Sequence, residues 1–144
     1  KRKTDKEAKT PFSPYNRRIY KQTYYGISEI LNPLVRGNHV CVLPMEKPIT
    51  GKAWILEICP ASTLKSLVLY IPYKGPGEEE RAARKKILLK LARFRSLQIK
   101  RQEISKRITG DQGGDAVDSV IAASSIFCAL QSSVSYRIEG YVYV

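Results

Sequence analysis

The sequence predicts an α/β fold in which a mixed sheet is flanked by helices. Short apolar runs bounded by Pro and Gly alternate along the 144 residues with longer stretches of helical periodicity. The run 53–59 is apolar on both alternating faces, which is typical of a central strand covered by helices on each side. The stretches 15–35, 81–94 and 111–128 repeat their apolar residues at helical spacing. We expect these helices to pack on the sheet.

The composition is that of a basic protein, with 25 Lys and Arg side chains against 13 Asp and Glu and a formal charge of +12. Nucleic acid, either DNA or RNA, is the commonest partner for such a charge, and a solubilising surface is the alternative. No apolar run approaches the roughly 20 residues that span a bilayer, so we expect no membrane partner. The three Cys residues show no CxxC spacing, which favours a reducing, cytoplasmic setting.

Residues 1–10 contain five basic residues and no apolar side chain larger than Ala, which predicts a basic arm or linker. A single domain is expected over 11–144, because a chain of this length can bury a core. The sequence begins Lys-Arg-Lys without Met and lacks the apolar segment of a signal peptide. We therefore expect a fragment or a trimmed chain.

The first predicted helix, 15–35, is amphipathic and carries Arg17, Arg18 and Lys21 near its start. Tyrosines interleave with these cations, and aromatic rings beside cations can stack bases and grip phosphates. The three cations are therefore candidate nucleic-acid-binding residues. The alternative is that the tyrosines pack this helix onto the sheet.

Glu57 interrupts the apolar run 53–59, which follows a shorter predicted strand at 39–43. An unpaired carboxylate inside such a strand is costly to desolvate, so the side chain meets a cation, stays protonated or lies near solvent at the strand end. Sites in α/β sheets gather just beyond the carboxyl ends of strands. Glu57 is therefore a candidate site residue, with a salt bridge to a lysine as the alternative.

The strongest predicted helix covers 81–94, directly after three glutamates that the helix dipole favours at an amino end. Cations lie on its outer face, and Arg84 and Lys85 are candidate nucleic-acid-binding residues there. The basic character continues through 95–107. Charge runs are usually solvated faces, which is the alternative for this surface. The predicted buried stripe of the helix consists of Ile87, Leu88, Leu91 and Phe94.

Three of the four aspartates in the chain, Asp111, Asp115 and Asp118, fall at the start of the predicted helix 111–128. A helix turns about 100° per residue, so Asp115 and Asp118 project from one face. Aspartates in a first turn are also favoured as caps, which explains Asp111 and is the alternative for Asp115. Asp118 lies deeper in the helix among apolar residues, where capping does not explain it.

A carboxylate at a strand end together with two on one helical face is the equipment of metal-dependent phosphodiester chemistry. Hard divalent ions take oxygen ligands, and water and substrate phosphate complete their shells. Two such ions about 4 Å apart can activate the attacking water and stabilise the leaving oxygen. We therefore predict Glu57, Asp115 and Asp118 as catalytic residues and as ligands of Mg²⁺ or Mn²⁺.

Two motifs are the most specific of the chain: Glu-x-x-Pro-Ala, beginning at Glu57, and Asp-Ala-x-Asp, beginning at Asp115. They belong to a longer set of segments, at 11–27, 42–45, 56–65, 113–123 and 139–144. This set resembles the C-terminal part of domain-of-unknown-function family 429, whose members are predicted nucleases with a ribonuclease-H-like fold.

The resemblance implies a Glu at the end of the central strand, matched by Glu57, and an acid on the last helix, matched by Asp118. RuvC-type resolvases of the wider superfamily place two acids three residues apart on that helix, similar to Asp115 and Asp118. The superfamily's first catalytic Asp lies on a first strand that has no counterpart here, since Asp5 sits in a charged segment. We expect either that the sequence omits the first half of the protein or that the chain is an incomplete and inactive version.

The leading functional prediction is a metal-dependent nuclease that hydrolyses phosphodiester bonds of nucleic acid. A non-catalytic nucleic-acid-binding module with a ribonuclease-H-like fold is the alternative. A third reading is an interaction domain whose positive charge serves solubility alone.

Overall fold

A computed structural model of the chain describes residues 3–10, 20–94, 97–129 and 142–144. The fold is mixed α and β, as predicted. The chain divides into two compact units, the first formed by 1–57 with 133–143 and the second by 58–132 with Val144. The ribonuclease-H-like sheet and the single domain over 11–144 stay predictions.

The described elements of the first unit are α1 (Lys3–Glu7), α2 (Tyr20–Tyr25), a π-helical turn (Gly26–Leu31), α3 (Asn32–Arg36), β1 (Val40–Val42), β2 (Ala53–Ile55), β3 (Glu57–Ile58, whose second residue belongs to the second unit) and β4 (Val142–Tyr143). Those of the second unit are the helices α4 (Pro60–Ser66), α5 (Glu78–Phe94), α6 (Gln102–Gly110) and α7 (Asp115–Ala129). None of the described helices has the length and apolar character needed to cross a bilayer.

The expectation of an arm or linker over 1–10 is wrong for residues 3–10, because they begin with helix α1 and bury polar side chains. Thr10 Oγ1 donates to Asp5 Oδ1 at 3.0 Å, and the backbone N–H of Val142 donates to Thr4 Oγ1 at 2.9 Å. Buried hydroxyl and carboxylate groups are tolerated when they are hydrogen-bonded. Charge and small size alone therefore gave the wrong expectation for this segment.

The predicted helix 15–35 is confirmed over its described part, from Tyr20 onward, but it is not regular. Pro33 has no N–H and its ring crowds the carbonyl four residues back. The N–H of Asn32 donates instead to the carbonyl of Ile27, five residues back, which is a π-helical bond. The tyrosines do not pack inward as the alternative supposed, since Tyr24 is 65 % exposed.

The predicted central strand 53–59 is split into the short strands β2 and β3. β2 pairs in parallel with β1, placing Cys41 opposite Trp54, and β3 pairs with β4. Each described sheet therefore has only two strands. A sheet this small gives the run 53–59 few neighbours to bury its side chains. The expectation of a strand buried on both faces is wrong, because Trp54 is 40 % exposed and Glu57 is exposed.

The second unit contains a helical core in which α4, α5, α6 and α7 meet around fully buried aliphatic residues. The stripe predicted for α5 is confirmed at Ile87, Leu88 and Leu91, while the side chain of Phe94 lies outside the described part. Helix α6 was not predicted as a helix. It is short and rich in charged residues, and Ile108 is its one buried apolar residue, so the sequence shows little apolar periodicity there. The fully buried core residues are Leu64, Ile87, Leu91, Val117 and Ile121.

Candidate functional site

Asp111 caps the amino end of α7. Its Oδ2 accepts from the backbone N–H of Ala116 at 2.8 Å, and its Oδ1 accepts from that of Gly113 at 3.2 Å. The N–H of Ala116 is the main reason why the pKa of Asp111 lies below its usual range, with the N–H of Gly113 contributing. These bonds agree with the prediction that Asp111 is a cap, and they use both of its oxygens.

Asp118 lies in the first turn of α7, and its carboxylate contacts two polar side chains of the segment before Gly75. Its Oδ1 accepts a hydrogen bond of 2.5 Å from the hydroxyl of Tyr73, and its Oδ2 lies 2.7 Å from Nζ of Lys74. The side chain is 23 % exposed, so this carboxylate is half-buried yet reachable from solvent. Both of its oxygens therefore have a partner of complementary charge or polarity.

Lys74 lies between two carboxylates, because its Nζ is also 3.6 Å from Oδ1 of Asp115. The hydrogen bond to Asp118 is the main cause of a raised pKa of Lys74, which its partial burial opposes. Asp115 is 89 % exposed, so its attraction is screened by water. The two predicted site residues Asp115 and Asp118 thus lie beside the same cationic group, the ammonium of Lys74.

Tyr73 provides the buried wall of this cluster, with 6 % of its surface exposed. Burial raises the pKa of the Tyr73 phenol well above its usual value, and the hydrogen bond to Asp118 raises it further. The phenol therefore stays a neutral hydrogen-bond donor at physiological pH. The ammonium of Lys74 lies 5.8 Å from the centroid of the same ring, within the range of a cation–π contact.

A buried arginine fixes the segment that carries Tyr73 and Lys74. Arg84, on α5, is 1 % exposed and donates to the carbonyl oxygens of Tyr73 at 2.7 Å, Gly75 at 3.0 Å and Thr109 at 2.8 Å. The prediction that Arg84 binds nucleic acid on an outer face is therefore wrong. Its planar fork reaches three carbonyls at once, which a helical charge pattern does not reveal.

A cavity of about 490 Å³ opens beside the cluster. Its lining is largely apolar, and the three residues of the cluster, Tyr73, Lys74 and Asp118, contribute to it. A concave apolar surface with a few convergent polar groups is the usual form of a ligand site. The remaining lining residues are Cys59, Pro60, Ala61, Tyr70, Ile71 and Pro72.

The structure describes three of the other predicted site residues, and all three are exposed. Glu57 is exposed at the start of β3, in the first unit. Lys21 on α2 and Lys85 on α5 are exposed, as nucleic-acid contacts would have to be. Arg17 and Arg18 lie outside the described residues.

The donor chemistry of the cluster fits a divalent ion in part. Asp115 and Asp118 supply two carboxylates around one cation position, which is as many as Mg²⁺ usually takes from protein. No group of three or more His, Cys, Asp or Glu side chains in the described part of the chain is arranged to hold a metal. The two aspartates are thus sufficient for one hard ion only if water and substrate oxygens complete its shell.

The sequence did not identify Tyr73 and Lys74 as site residues. They lie in the irregular segment that precedes Gly75 and helix α5. Tyr73 meets Asp118 across 45 positions of the chain, and no local pattern links residues so far apart. The available signal was weak: an aromatic and a cation follow an apolar run, directly before a glycine.

Comparison of the chain with protein-family models, with curated proteins and with solved structures finds no match. The resemblance to family 429 therefore stays a prediction.

Proposed function

We propose that this protein hydrolyses phosphodiester bonds of nucleic acid with a divalent cation, Mg²⁺ or Mn²⁺, bound at Asp115 and Asp118. One observation carries the proposal: oxygens of these two carboxylates lie 3.6 and 2.7 Å from a single cationic atom, Nζ of Lys74. A site that already orders a positive charge beside two aspartates offers the donor type that a hard cation takes. Glu57, in the first unit, stays a ligand that the family resemblance alone implies.

The residues of the cluster have separate roles in this proposal. Asp118 would hold the ion with Oδ2, while the Tyr73 hydroxyl keeps Oδ1 oriented. The ammonium of Lys74, which lies beside both carboxylates, would be placed to hold a phosphate oxygen of the substrate. A bound divalent ion would supply a water of lowered pKa and neutralise charge on the phosphate. The apolar walls formed by Ile71 and Pro72 limit the water around the reacting group.

The test uses the full-length protein and measures two quantities, calorimetric binding of Mn²⁺ and cleavage of labelled single- and double-stranded DNA and RNA. We expect Asp118→Asn to weaken Mn²⁺ binding at least about tenfold and to abolish cleavage. Lys74→Met separates the roles: it removes the competing ammonium, so Mn²⁺ binding tightens while cleavage slows. Glu79→Gln, an exposed acid on α5, is the control that removes one negative charge elsewhere. Absence of Mn²⁺ binding and cleavage in the unaltered protein would refute the proposal.

A non-catalytic nucleic-acid-binding module is the second candidate, and one observation favours it. Both oxygens of Asp118 are engaged by Tyr73 and Lys74, so the charge of this carboxylate is compensated without a metal. For such a module, binding of an oligonucleotide should be the same in EDTA and in Mn²⁺. It should also fall steeply with salt and be indifferent to Glu57→Gln.

A further inference from the structure

A second concave surface of the same unit is a groove between α5 and α6, with a volume of about 470 Å³. From α5 it is lined by Arg81, Lys85 and Leu88, and from α6 by Gln102, Ser105 and Lys106. All of its charged lining residues are cations, and Leu89 and Thr109 complete the lining.

The register of the two helices explains why the cations converge there. Arg81, Lys85 and Leu88 are spaced i, i+4, i+7, so they share one face of α5. Gln102, Ser105 and Lys106 are spaced i, i+3, i+4 and share one face of α6. Each helix thus turns a polar face toward the other across the groove.

The cations of α5 differ in exposure, and Arg84 is a buried one. Its guanidinium is buried and bonded to carbonyls, whereas Arg81 and Lys85, three residues before and one after it, are exposed. Arg81 lies 3.4 Å from Glu78, but both side chains are largely exposed, so this pair neutralises the groove only weakly. The cations of the groove remain available to a ligand.

We propose that this groove binds the phosphate backbone of a nucleic-acid strand. Three cations supply the charge, and the amide of Gln102 and the hydroxyl of Ser105 are placed to donate to phosphate oxygens. Leu88 and Leu89 form an apolar floor suited to the sugar. No aromatic side chain is among the lining residues, so bases are not stacked and binding is independent of sequence.

The inference rests on the proposed function for its class of substrate and adds the surface that holds it. The two fail separately, because binding can be measured in EDTA, where no metal-dependent cleavage takes place. Charge reversal in the groove should therefore lower oligonucleotide affinity in EDTA, where the result depends on neither Mn²⁺ binding nor cleavage.

The experiment measures fluorescence anisotropy of a labelled oligothymidylate of about 20 nucleotides, in EDTA, as a function of salt. The test variant is Lys85→Glu combined with Lys106→Glu. The matched control is Lys86→Glu combined with Lys100→Glu, which reverses two exposed charges that do not line the groove and changes the net charge by the same amount. We expect the test variant to lose about tenfold in affinity and the magnitude of its salt slope to fall by about 1.4, close to 0.7 for each lost phosphate contact.

Two competitors test whether the groove recognises a phosphate strand. Unlabelled oligothymidylate should displace the probe at micromolar concentration, whereas inorganic phosphate and polyglutamate should not. Equal affinities for the test variant and the control with Lys86→Glu and Lys100→Glu would overturn the proposal. Displacement by polyglutamate as effective as by the oligonucleotide would overturn it too, since the groove would then respond to charge alone. Circular dichroism of each variant shows whether a lost affinity reflects a lost fold.

Discussion

The hydroxyl of Tyr73 donates a hydrogen bond of 2.5 Å to Oδ1 of Asp118, from a segment that has no regular secondary structure to a turn of α7. The phenol is almost fully buried, and the carboxylate is partly exposed. The bond therefore joins the wall of the pocket to its charged group. It also fixes which oxygen of Asp118 is turned toward Lys74.

Tyr73→Phe removes this bond and little volume. A hydrogen bond to a charged group contributes about 1.5–3 kcal/mol, and we expect a loss of free energy of unfolding near the lower end, because solvent reaches Asp118. Urea denaturation measures the loss. Tyr70→Phe is the control, since Tyr70 also lines the pocket but is 59 % exposed. Equal effects of the two substitutions would show that the bond to Asp118 does not stabilise the unit.

Stability should fall at high pH. Tyr73 and Lys74 have raised pKa values in the folded protein, so each retains its proton more strongly there than in the unfolded chain. Their contributions are complete below the unfolded pKa values, 10.0 and 10.5, and are lost as pH rises through the folded values. Free energies of unfolding measured at pH 8 and pH 10.5 should differ less in Tyr73→Phe combined with Lys74→Met. A pH dependence as steep as that of the unaltered protein would contradict this assignment.

Helices α5 and α7 and the acidic cluster could be predicted from the sequence because their signals are local. The stripe Ile87, Leu88 and Leu91 follows from spacing within α5, and the pairing of Asp115 with Asp118 follows from one turn of α7. Asp111 as a cap follows equally from its place ahead of the helix.

The partners of that cluster could not be predicted, because they depend on packing between distant segments. Lys74 meets Asp118 only because the segment before Gly75 is fixed to α5 and α6 by Arg84. The same arginine was expected outside, since charge is normally a surface property. The burial expected for the run around Trp54 was too high. The apolar pattern indicates a strand, but it does not say how many strands pair beside it, and the described sheet has two.

Asp111→Ala should separate capping from metal binding. It removes acceptors from the N–H groups of Ala116 and Gly113, and loss of a helix cap costs about 1 kcal/mol of unfolding free energy. At a temperature where the variant is fully folded, its affinity for Mn²⁺ should be unchanged, because Asp111 does not contact Lys74 at the cation position. Asp115→Ala gives the reverse pattern, with little change in stability and weaker Mn²⁺ binding. Calorimetry together with thermal denaturation of both variants distinguishes the two roles.

Arg84→Met should destabilise the second unit strongly. Its guanidinium is the donor to the carbonyls of Tyr73, Gly75 and Thr109, and each buried acceptor left without a partner costs about 1–3 kcal/mol. We expect a total loss of about 3 kcal/mol or more, measured by urea denaturation, whereas exposed Arg81→Met should change stability by at most about 0.5 kcal/mol.

Arg84→Lys tests why an arginine is required. A lysine keeps the positive charge, but its compact ammonium cannot span the carbonyls of Tyr73 and Thr109 as the planar fork does. We therefore expect most of the destabilisation to persist. We also expect Mn²⁺ binding to tighten in whatever fraction stays folded, because the segment that holds Lys74 over Asp118 is loosened. Full recovery of stability by Arg84→Lys would show that charge, not fork geometry, fixes this segment.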